Sequence, residues 1–235
     1  MVDARVVLVT GATAGLGAEV VRQLAARGHD VVVSGRGLAR VAQVAEESGA
    51  RALGVPLDVS DAASVATAAT ALDSMDVLVN NAAAYVDWTE VASTADLEAA
   101  HRVLETNLFG AWRTTSAFLP LLRASEHPRV VHVSSGGGSH GDAQFGLTAR
   151  GGYAASYGIS KAALNALTST LASELSGTGI LVNAVCPGLT ATYEGAEEMG
   201  ARPVAESAPG VVWAVELPDD GPTGGFFRDG RPMPW

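Results

Sequence analysis

The sequence predicts an α/β fold in which a mostly parallel sheet carries helices on both faces. Three observations lead to this prediction. Short apolar runs, typical of strands buried on both faces, alternate with helical stretches. A glycine-rich turn follows the first run directly. The chain has 235 residues, of which 48% are hydrophobic, enough to form a core within a single domain spanning 1–235.

The order of the elements indicates repeated strand–helix–strand units. Seven apolar runs are predicted to be strands, at 5–10, 30–34, 51–57, 76–80, 130–135, 180–186 and 225–227. Six stretches are predicted to be helices, at 18–27, 38–48, 62–72, 96–123, 156–176 and 204–215. Such units form a parallel sheet, and ligands then bind beyond the carboxyl ends of its strands.

The composition argues against several classes of partner. The formal net charge is −10, and a negative surface repels nucleic acid and anionic membranes. No stretch approaches the length of a membrane span or has the form of a secretory signal. The single cysteine, Cys186, cannot form an intrachain disulfide, so a cytoplasmic location is expected. The histidines lack the spacing of metal ligands, so no metal site is expected.

The turn after the first strand has the features of a dinucleotide-binding loop. Its sequence, from Thr10 to Gly17, is T-G-A-T-A-G-L-G. Gly11 permits a tight turn, Gly15 lets the backbone approach a pyrophosphate, and Gly17 lets the helix pack closely on the strand. The N-terminus of that helix then faces the phosphates. The alternative is a purely structural turn, but its position directly after the first strand favours nucleotide binding.

The end of the second strand indicates which dinucleotide is bound. An acidic residue there would bind the ribose 2′-OH of NAD. This chain has Ser34, Gly35 and Arg36 instead, and Arg40 follows one helical turn later. Because guanidinium groups pair with phosphate, we expect NADP(H) in preference to NAD(H). The alternative is that Arg36 is a solvated loop charge.

The only lysine of the chain follows a tyrosine by four residues. The other fourteen of the fifteen Lys and Arg side chains are arginines, so Lys161 stands out beside Tyr157. Residues at i and i+4 share one face of a helix. Tyrosine can give a proton to an oxygen, but with an unperturbed pKa of about 10 it is a weak acid. We expect the ammonium of Lys161, together with the positive nicotinamide of the oxidised cofactor, to lower the pKa of Tyr157. The alternative is an ordinary surface lysine.

These motifs together resemble the short-chain dehydrogenase/reductase family over the whole chain. They are the G-x-x-x-G-x-G loop, Asn80-Asn81-Ala82 after the fourth strand, Ser134-Ser135 after the fifth, and Y-x-x-x-K. The resemblance implies a Rossmann-type doubly wound parallel sheet of about seven strands. It also implies a catalytic set, namely Asn107, Ser135, Tyr157 and Lys161. The cofactor-binding residues expected are Gly11, Thr13, Gly15, Leu16, Gly17, Arg36, Asp58, Val59, Asn81, Ala82, Tyr157, Lys161, Pro187, Gly188, Leu189 and Thr192.

The resemblance also implies roles for individual residues. Ser135 would donate a hydrogen bond to the substrate carbonyl, whereas Ser134 would be structural. Asn107 would hold a water that links Lys161 to solvent, although a solvent-facing asparagine is the alternative. The backbone of Leu189 and the hydroxyl of Thr192 would bind the nicotinamide carboxamide.

The C-terminal part of the chain resembles the carbonyl reductase branch of that family. This resemblance rests on residues 217–227 and 232–235, together with an insertion between Ser135 and Tyr157. It implies NADPH-dependent reduction of an aldehyde, ketone or quinone, which is a small-molecule substrate. Whether the protein is a monomer or a homodimer stays open. The alternatives are an NAD-linked alcohol dehydrogenase, a β-ketoacyl reductase and a non-catalytic dinucleotide-sensing protein.

Overall fold

A computed structural model describes residues 3–192 and 196–235. The strands are β1 (Val6–Val9), β2 (Asp30–Val33), β3 (Arg51–Ala52), β4 (Val77–Asn80), β5 (Arg129–Val133), β6 (Leu181–Val185), β7 (Phe226–Arg228) and β8 (Arg231–Pro232). They form one sheet in the order β3-β2-β1-β4-β5-β6-β7-β8. Every neighbouring pair is parallel except β7 and β8. The predicted doubly wound parallel sheet is confirmed.

Two differences from the predicted strands have local causes. Strand β3 is shorter than predicted because residues 53–57 do not continue the ladder with β2. In this stretch the backbone N–H groups of Leu53 and Leu57 make only isolated hydrogen bonds to that side. Pro56 lies within this stretch and has no N–H to donate to a ladder. Strand β8 adds an eighth strand through a tight hairpin at Asp229 and Gly230, both of which have positive φ.

The helices cover both faces of the sheet. They are α1 (Gly15–Ala26), α2 (Leu38–Ser48), α3 (Ala62–Ala69), α4 (Leu97–Leu104), α5 (Ala111–Ala124), α6 (Ala155–Glu174) and α7 (Val204–Val215). Helices α1, α2 and α7 bury their apolar side chains in one core cluster with the sheet. Helices α3, α5 and α6 do so in a second cluster on the opposite face. Both faces of the strands are therefore covered, which explains why the strands are nearly all apolar.

The long helix predicted at 96–123 is interrupted. A π-helical turn, Glu105–Gly110, separates α4 from α5. Gly110 lies so close to Val59 that a Cβ there would be 2.7 Å from a Val59 methyl carbon. The turn directs Asn107 towards α6, where its amide donates to Ser160. Turns of this kind occur often at functional sites.

Two long loops lie at the carboxyl edge of the sheet. The first, 134–154, contains the predicted insertion and contacts the C-terminal segment, because His140 N donates to Trp235 O and Ser139 Oγ donates to Pro234 O. The second, 186–203, is described apart from 193–195, and a parallel bridge joins Thr190 to Arg202. Within the described ranges, none of the helices is long and apolar enough to cross a membrane.

Candidate active site

A cleft with a volume of about 1020 Å³ opens at the carboxyl edge of the sheet. Every residue expected to bind the cofactor lines this cleft. Of the expected catalytic residues, Ser135, Tyr157 and Lys161 line it as well, whereas Asn107 is buried behind it. The fold thus brings motifs from six strand ends to one place. The volume suits a ligand at the large end of the usual range for binding pockets.

The glycine loop forms a close-fitting cradle over the end of β1. Asn81 Nδ2 donates to Thr10 O at 2.9 Å and to Gly11 O at 3.1 Å. A Cβ on Gly17 would lie 2.5 Å from Asn81 Nδ2. The residue before helix α1, Ala14, has no side chain that could cap the helix, and the first turn has no acidic residue. Its unpaired N–H groups therefore suit an anion such as a pyrophosphate.

The rim next to β2 is positively charged. Arg36 is exposed and lines the cleft. Arg40 Nε donates to Thr13 O at 3.0 Å, which holds its guanidinium beside the glycine loop. Ser34 is buried and donates to Val9 O, so it does not face the cleft. The nearby carboxylate of Asp58 has a lowered pKa, mainly because Ser60 donates to it, with Arg36 adding to the shift.

Tyr157 and Lys161 lie one turn apart at the start of α6. The ammonium nitrogen of Lys161 is 5.7 Å from the centre of the Tyr157 ring and donates to Val133 O at 2.9 Å. Burial lowers the pKa of Lys161 to about 8. Burial raises the pKa of Tyr157 above its ordinary value, and a hydrogen bond with Ser135 opposes this shift. The expected lowering of the Tyr157 pKa by Lys161 is therefore wrong for the protein alone, because loss of water around the phenol dominates.

The two serines after β5 have different environments. Ser134 is buried, and its hydroxyl donates to Asn165 Oδ1. Ser135 is half-buried beside Tyr157, and its Oγ accepts from Gly137 N at 3.1 Å. Of the two serines, Ser135 is the one whose hydroxyl is bonded to the tyrosine. The roles expected for the two residues stay predictions.

Both polar atoms of the Asn107 side chain make hydrogen bonds. Its Oδ1 accepts from Ala84 N at 2.7 Å, and its Nδ2 donates to Ala84 O and to Ser160 Oγ, each at 3.0 Å. Asn107 is buried, which contradicts the alternative of a solvent-facing residue. The amide ties the segment after β4 to helix α6. A water that links Lys161 to solvent would therefore have to bond to the backbone of the π-helical turn. The role of Asn107 in holding such a water stays a prediction.

Comparison with known proteins decides the family. A sequence model described as short chain dehydrogenase matches residues 5–200. The chain belongs to the short-chain dehydrogenase/reductase family. A relative from Streptomyces virginiae, named as a ketoacyl reductase of the monensin polyketide synthase, is 39% identical over 80% of this chain and 71% of its own.

Solved structures of the family have the same fold. A 3-oxoacyl-[acyl-carrier protein] reductase with bound NAD from Brucella melitensis has a TM-score of 0.82 at 28% identity, covering 97% of this chain and 91% of that one. An NADPH-bound carbonyl reductase from chicken fatty liver has a TM-score of 0.82 at 26% identity, covering 99% of both chains. Both nicotinamide dinucleotides thus occur among similar members of the short-chain dehydrogenase/reductase family.

Aromatic side chains cover the tyrosine of this short-chain dehydrogenase/reductase. The ring of Tyr85 stacks on Tyr157 at 5.5 Å between centroids, and Trp88 meets Tyr157 edge-on at 5.5 Å. Phe145 and the exposed Tyr153 also line this end of the cleft. The end of the cleft at Tyr157 therefore has largely apolar, aromatic walls, which suit an apolar or flat ligand.

Glu90 is a site residue that the sequence did not indicate. The residue before helix α6, Ala154, has a left-handed backbone conformation and supplies no side-chain cap to the helix. The Glu90 carboxylate instead accepts from Ser156 N at 2.8 Å and from Ser156 Oγ at 2.7 Å. Glu90 thus supplies the missing cap from a distant loop and fixes the start of the helix that carries Tyr157. No local pattern could reveal a partner 66 residues away.

Replacement of Lys161 by methionine is expected to change how stability depends on pH. The pKa of Lys161 in the folded chain, about 8, is below its ordinary value of 10.5. Between these values the unfolded chain holds a proton that the folded chain lacks, so the stability of the wild type rises with pH. Relative to Lys161→Met, the free energy of unfolding should rise by about 2 kcal/mol from about pH 7 to about pH 9.5.

Urea unfolding of both ligand-free proteins at the two pH values measures this difference. Groups other than Lys161 titrate in both proteins and largely cancel. A difference that is constant with pH, or one that falls as pH rises, would show that Lys161 is not held in a water-poor environment.

Proposed function

We propose that this enzyme uses NADPH to reduce the carbonyl of an aldehyde, ketone or quinone to an alcohol, with Tyr157 as the proton donor. The observation that carries the proposal is the grouping of the Tyr157 and Ser135 hydroxyls at the aromatic end of the cleft, with the buried ammonium of Lys161 behind them. The proposed natural partner is a small molecule, and the proposed location is the cytoplasm.

The residues of the cleft fit a nicotinamide dinucleotide. The uncapped start of α1 would hold the pyrophosphate, and Arg36 would meet a 2′-phosphate. Thr192, whose methyl group lies 3.6 Å from the position of a Cβ on Gly15, would bind the carboxamide together with the backbone of Leu189. When bound, the nicotinamide supplies the hydride for the carbonyl carbon.

The chain's own groups supply the proton and orient the carbonyl. With a raised pKa, Tyr157 is protonated at neutral pH and can donate its proton to the carbonyl oxygen. The hydroxyl of Ser135 donates a hydrogen bond to the same oxygen, which stabilises the developing negative charge. The charged form of Lys161 stabilises the phenolate left behind. Oxidation of an alcohol would need that phenolate from the start, so alkaline pH should favour it.

A β-ketoacyl reductase is the second candidate. It is supported by the identity with the relative named as a ketoacyl reductase and by the likeness to the 3-oxoacyl reductase structure. The same Tyr157 and Ser135 would act on a β-keto thioester. An NAD-linked alcohol dehydrogenase remains the alternative on the cofactor side.

Consumption of NADPH or NADH in the presence of defined carbonyl compounds tests the proposal. The panel would include an aromatic aldehyde, a quinone, a diketone and a β-ketoacyl thioester. Turnover with NADPH supports reduction, and turnover with the thioester alone supports the ketoacyl candidate. Tight NADPH binding without turnover of any compound would instead favour a dinucleotide-sensing protein.

Replacement of Arg36 by serine is expected to weaken NADPH binding by about 10- to 100-fold, because a charge-assisted contact with the 2′-phosphate is lost. NADH, which lacks that phosphate, should bind as before. Fluorescence titration of both dinucleotides measures the two affinities. Arg123→Ser is the matched control, since Arg123 is exposed at the end of α5, on the amino side of the sheet. Equal losses for both dinucleotides would contradict recognition of the 2′-phosphate.

A further inference from the structure

Arg228 places a positive charge at the substrate end of the cleft. It is the last residue of β7 and lines the cleft beyond Ser135. Among the described residues that line the cleft, the other charged ones are Lys161, behind the tyrosine, and Arg36 and Asp58, at the glycine-loop end. Arg228 is thus the one guanidinium among the aromatic walls of the described substrate end.

Three contacts hold the guanidinium of Arg228 in a fixed orientation. Its Nη2 is 2.7 Å from Asp142 Oδ2, and its Nε lies 3.3 Å from Cys186 Sγ. Its Cζ is 5.8 Å from the centre of the Phe145 ring. Asp142 is itself fixed, because its Oδ1 accepts from the backbone N–H groups of Gln144 and Phe145. A group fixed in this way loses little conformational entropy when it binds a ligand.

The guanidinium lies directly beside the catalytic segment. A Cβ on Gly136, the residue after Ser135, would be 2.4 Å from Arg228 Nη2. The same Gly136 donates its N–H to Cys186 Sγ at 3.1 Å. Glycine is needed at this position because the guanidinium fills the space that a side chain would take. Arg228 therefore lies next to the point where Ser135 would hold the reacting carbonyl.

One end of the guanidinium is available for a ligand. Nη1 makes no hydrogen bond to the part of the chain that the structure describes. It is also not fully buried, so a ligand atom can reach it. The side chain is 26% exposed in the cleft. Asp142 balances its charge, so Nη1 suits an oxygen with partial negative charge, such as a second carbonyl or an ester oxygen.

We propose that Arg228 determines substrate specificity by binding a second oxygen of the substrate, close to the carbonyl that is reduced. The substrates favoured would be carbonyl compounds with a neighbouring carbonyl or ester group on an apolar body. The reaction is unchanged, because Arg228 neither gives nor takes a proton. This inference rests on the proposed carbonyl reduction and adds a requirement on the substrate.

Two matched substrates and four proteins test the proposal. The substrates are ethyl benzoylacetate and its analogue in which a methylene replaces the ester carbonyl, so that the reacting ketone is the same. The proteins are the wild type, Asp142→Asn, the double variant Arg228→Gln/Asp142→Asn, and Arg231→Gln, a control at an exposed arginine of β8. The double variant keeps two amides in contact, so that no buried carboxylate is left unpaired.

The double variant should lose about 10- to 100-fold in kcat/KM for the keto ester, mainly through KM, whereas the methylene analogue should change by less than about threefold. Asp142→Asn and Arg231→Gln should keep the wild-type preference for the keto ester. NADPH affinity should be the same in all four proteins. Parallel losses for both substrates, or no loss for either, would overturn the proposal. If the double variant does not fold, Arg228→Lys replaces it, because lysine keeps the charge but not the planar fork.

Failure of the proposed function would appear differently, as no turnover of either ketone by the wild type. A calorimetric titration of ethyl benzoylacetate into the protein with NADPH then still tests Arg228. Weaker binding to the double variant than to the wild type would support the inference, and equal binding would overturn it.

Discussion

Tyr157→Phe is expected to lower kcat for carbonyl reduction by about 10³-fold, with a much smaller effect on NADPH affinity. The substitution removes one hydroxyl and keeps the ring that stacks on Tyr85. Ser135 and Lys161 remain in place, so the carbonyl can still be oriented, but the phenol proposed to give it a proton is gone. Water would then have to protonate the alkoxide in a cleft with largely aromatic walls. Steady-state turnover with NADPH and a carbonyl substrate measures the effect.

Tyr153→Phe is the matched control for this prediction. Tyr153 lies four residues earlier in the chain, is 61% exposed and lines the same cleft. Loss of its hydroxyl should change kcat by less than about tenfold, because it has no lysine partner one turn away. If the two substitutions had the same effect, or if Tyr157→Phe kept most of the activity, Tyr157 would not be the proton donor.

Gly17→Ala should weaken NADPH binding by about 100-fold or more. The new Cβ would lie 2.5 Å from Asn81 Nδ2 and 2.7 Å from Gly11 O, closer than atoms approach without a shift. Asn81 would be displaced from the Thr10 and Gly11 carbonyls that it holds, and the glycine loop would move away from the position suited to a pyrophosphate. Overpacking of this kind typically costs about 1–3 kcal/mol before any loss of ligand contacts is counted.

The control for the glycine loop is Gly54→Ala. Gly54 has no other atom within 4 Å of the added Cβ, and its φ is not positive. Fluorescence titration with NADPH and the melting temperature of each ligand-free protein separate binding from folding. Gly17→Ala should lose affinity far beyond any change shared with Gly54→Ala. Wild-type affinity in Gly17→Ala would mean that the loop is not the cofactor cradle.

The sequence was most informative where function depends on local pattern. The apolar runs predicted the sheet because strands buried on both faces have few other compositions. The glycine loop was found from its spacing and its position after the first strand. The Tyr157–Lys161 pair was found from its spacing and because Lys161 is the only lysine. Both line the cleft. Fold and motif positions are local properties, so a single sequence can reveal them.

The sequence was less informative where long-range contacts decide. Glu90 caps a helix 66 residues away, and Arg228 pairs with Asp142 across 86 residues. No spacing rule connects such partners. For the protein without its cofactor, the direction of the Tyr157 pKa shift was mispredicted for the same reason. Desolvation depends on Tyr85 and Trp88, whose positions over the phenol come from the tertiary fold.

The contacts of the loop at 134–154 have a consequence for protein engineering. Its backbone and Ser139 are bonded to Pro234 and Trp235, and its Asp142 is paired with Arg228. The loop and the C-terminal hairpin are therefore joined by several contacts, although they are far apart in sequence. A chimaera that receives only the loop would inherit an unpaired buried carboxylate. Grafts between family members should therefore carry both segments, and homologous variation in one should be matched by variation in the other.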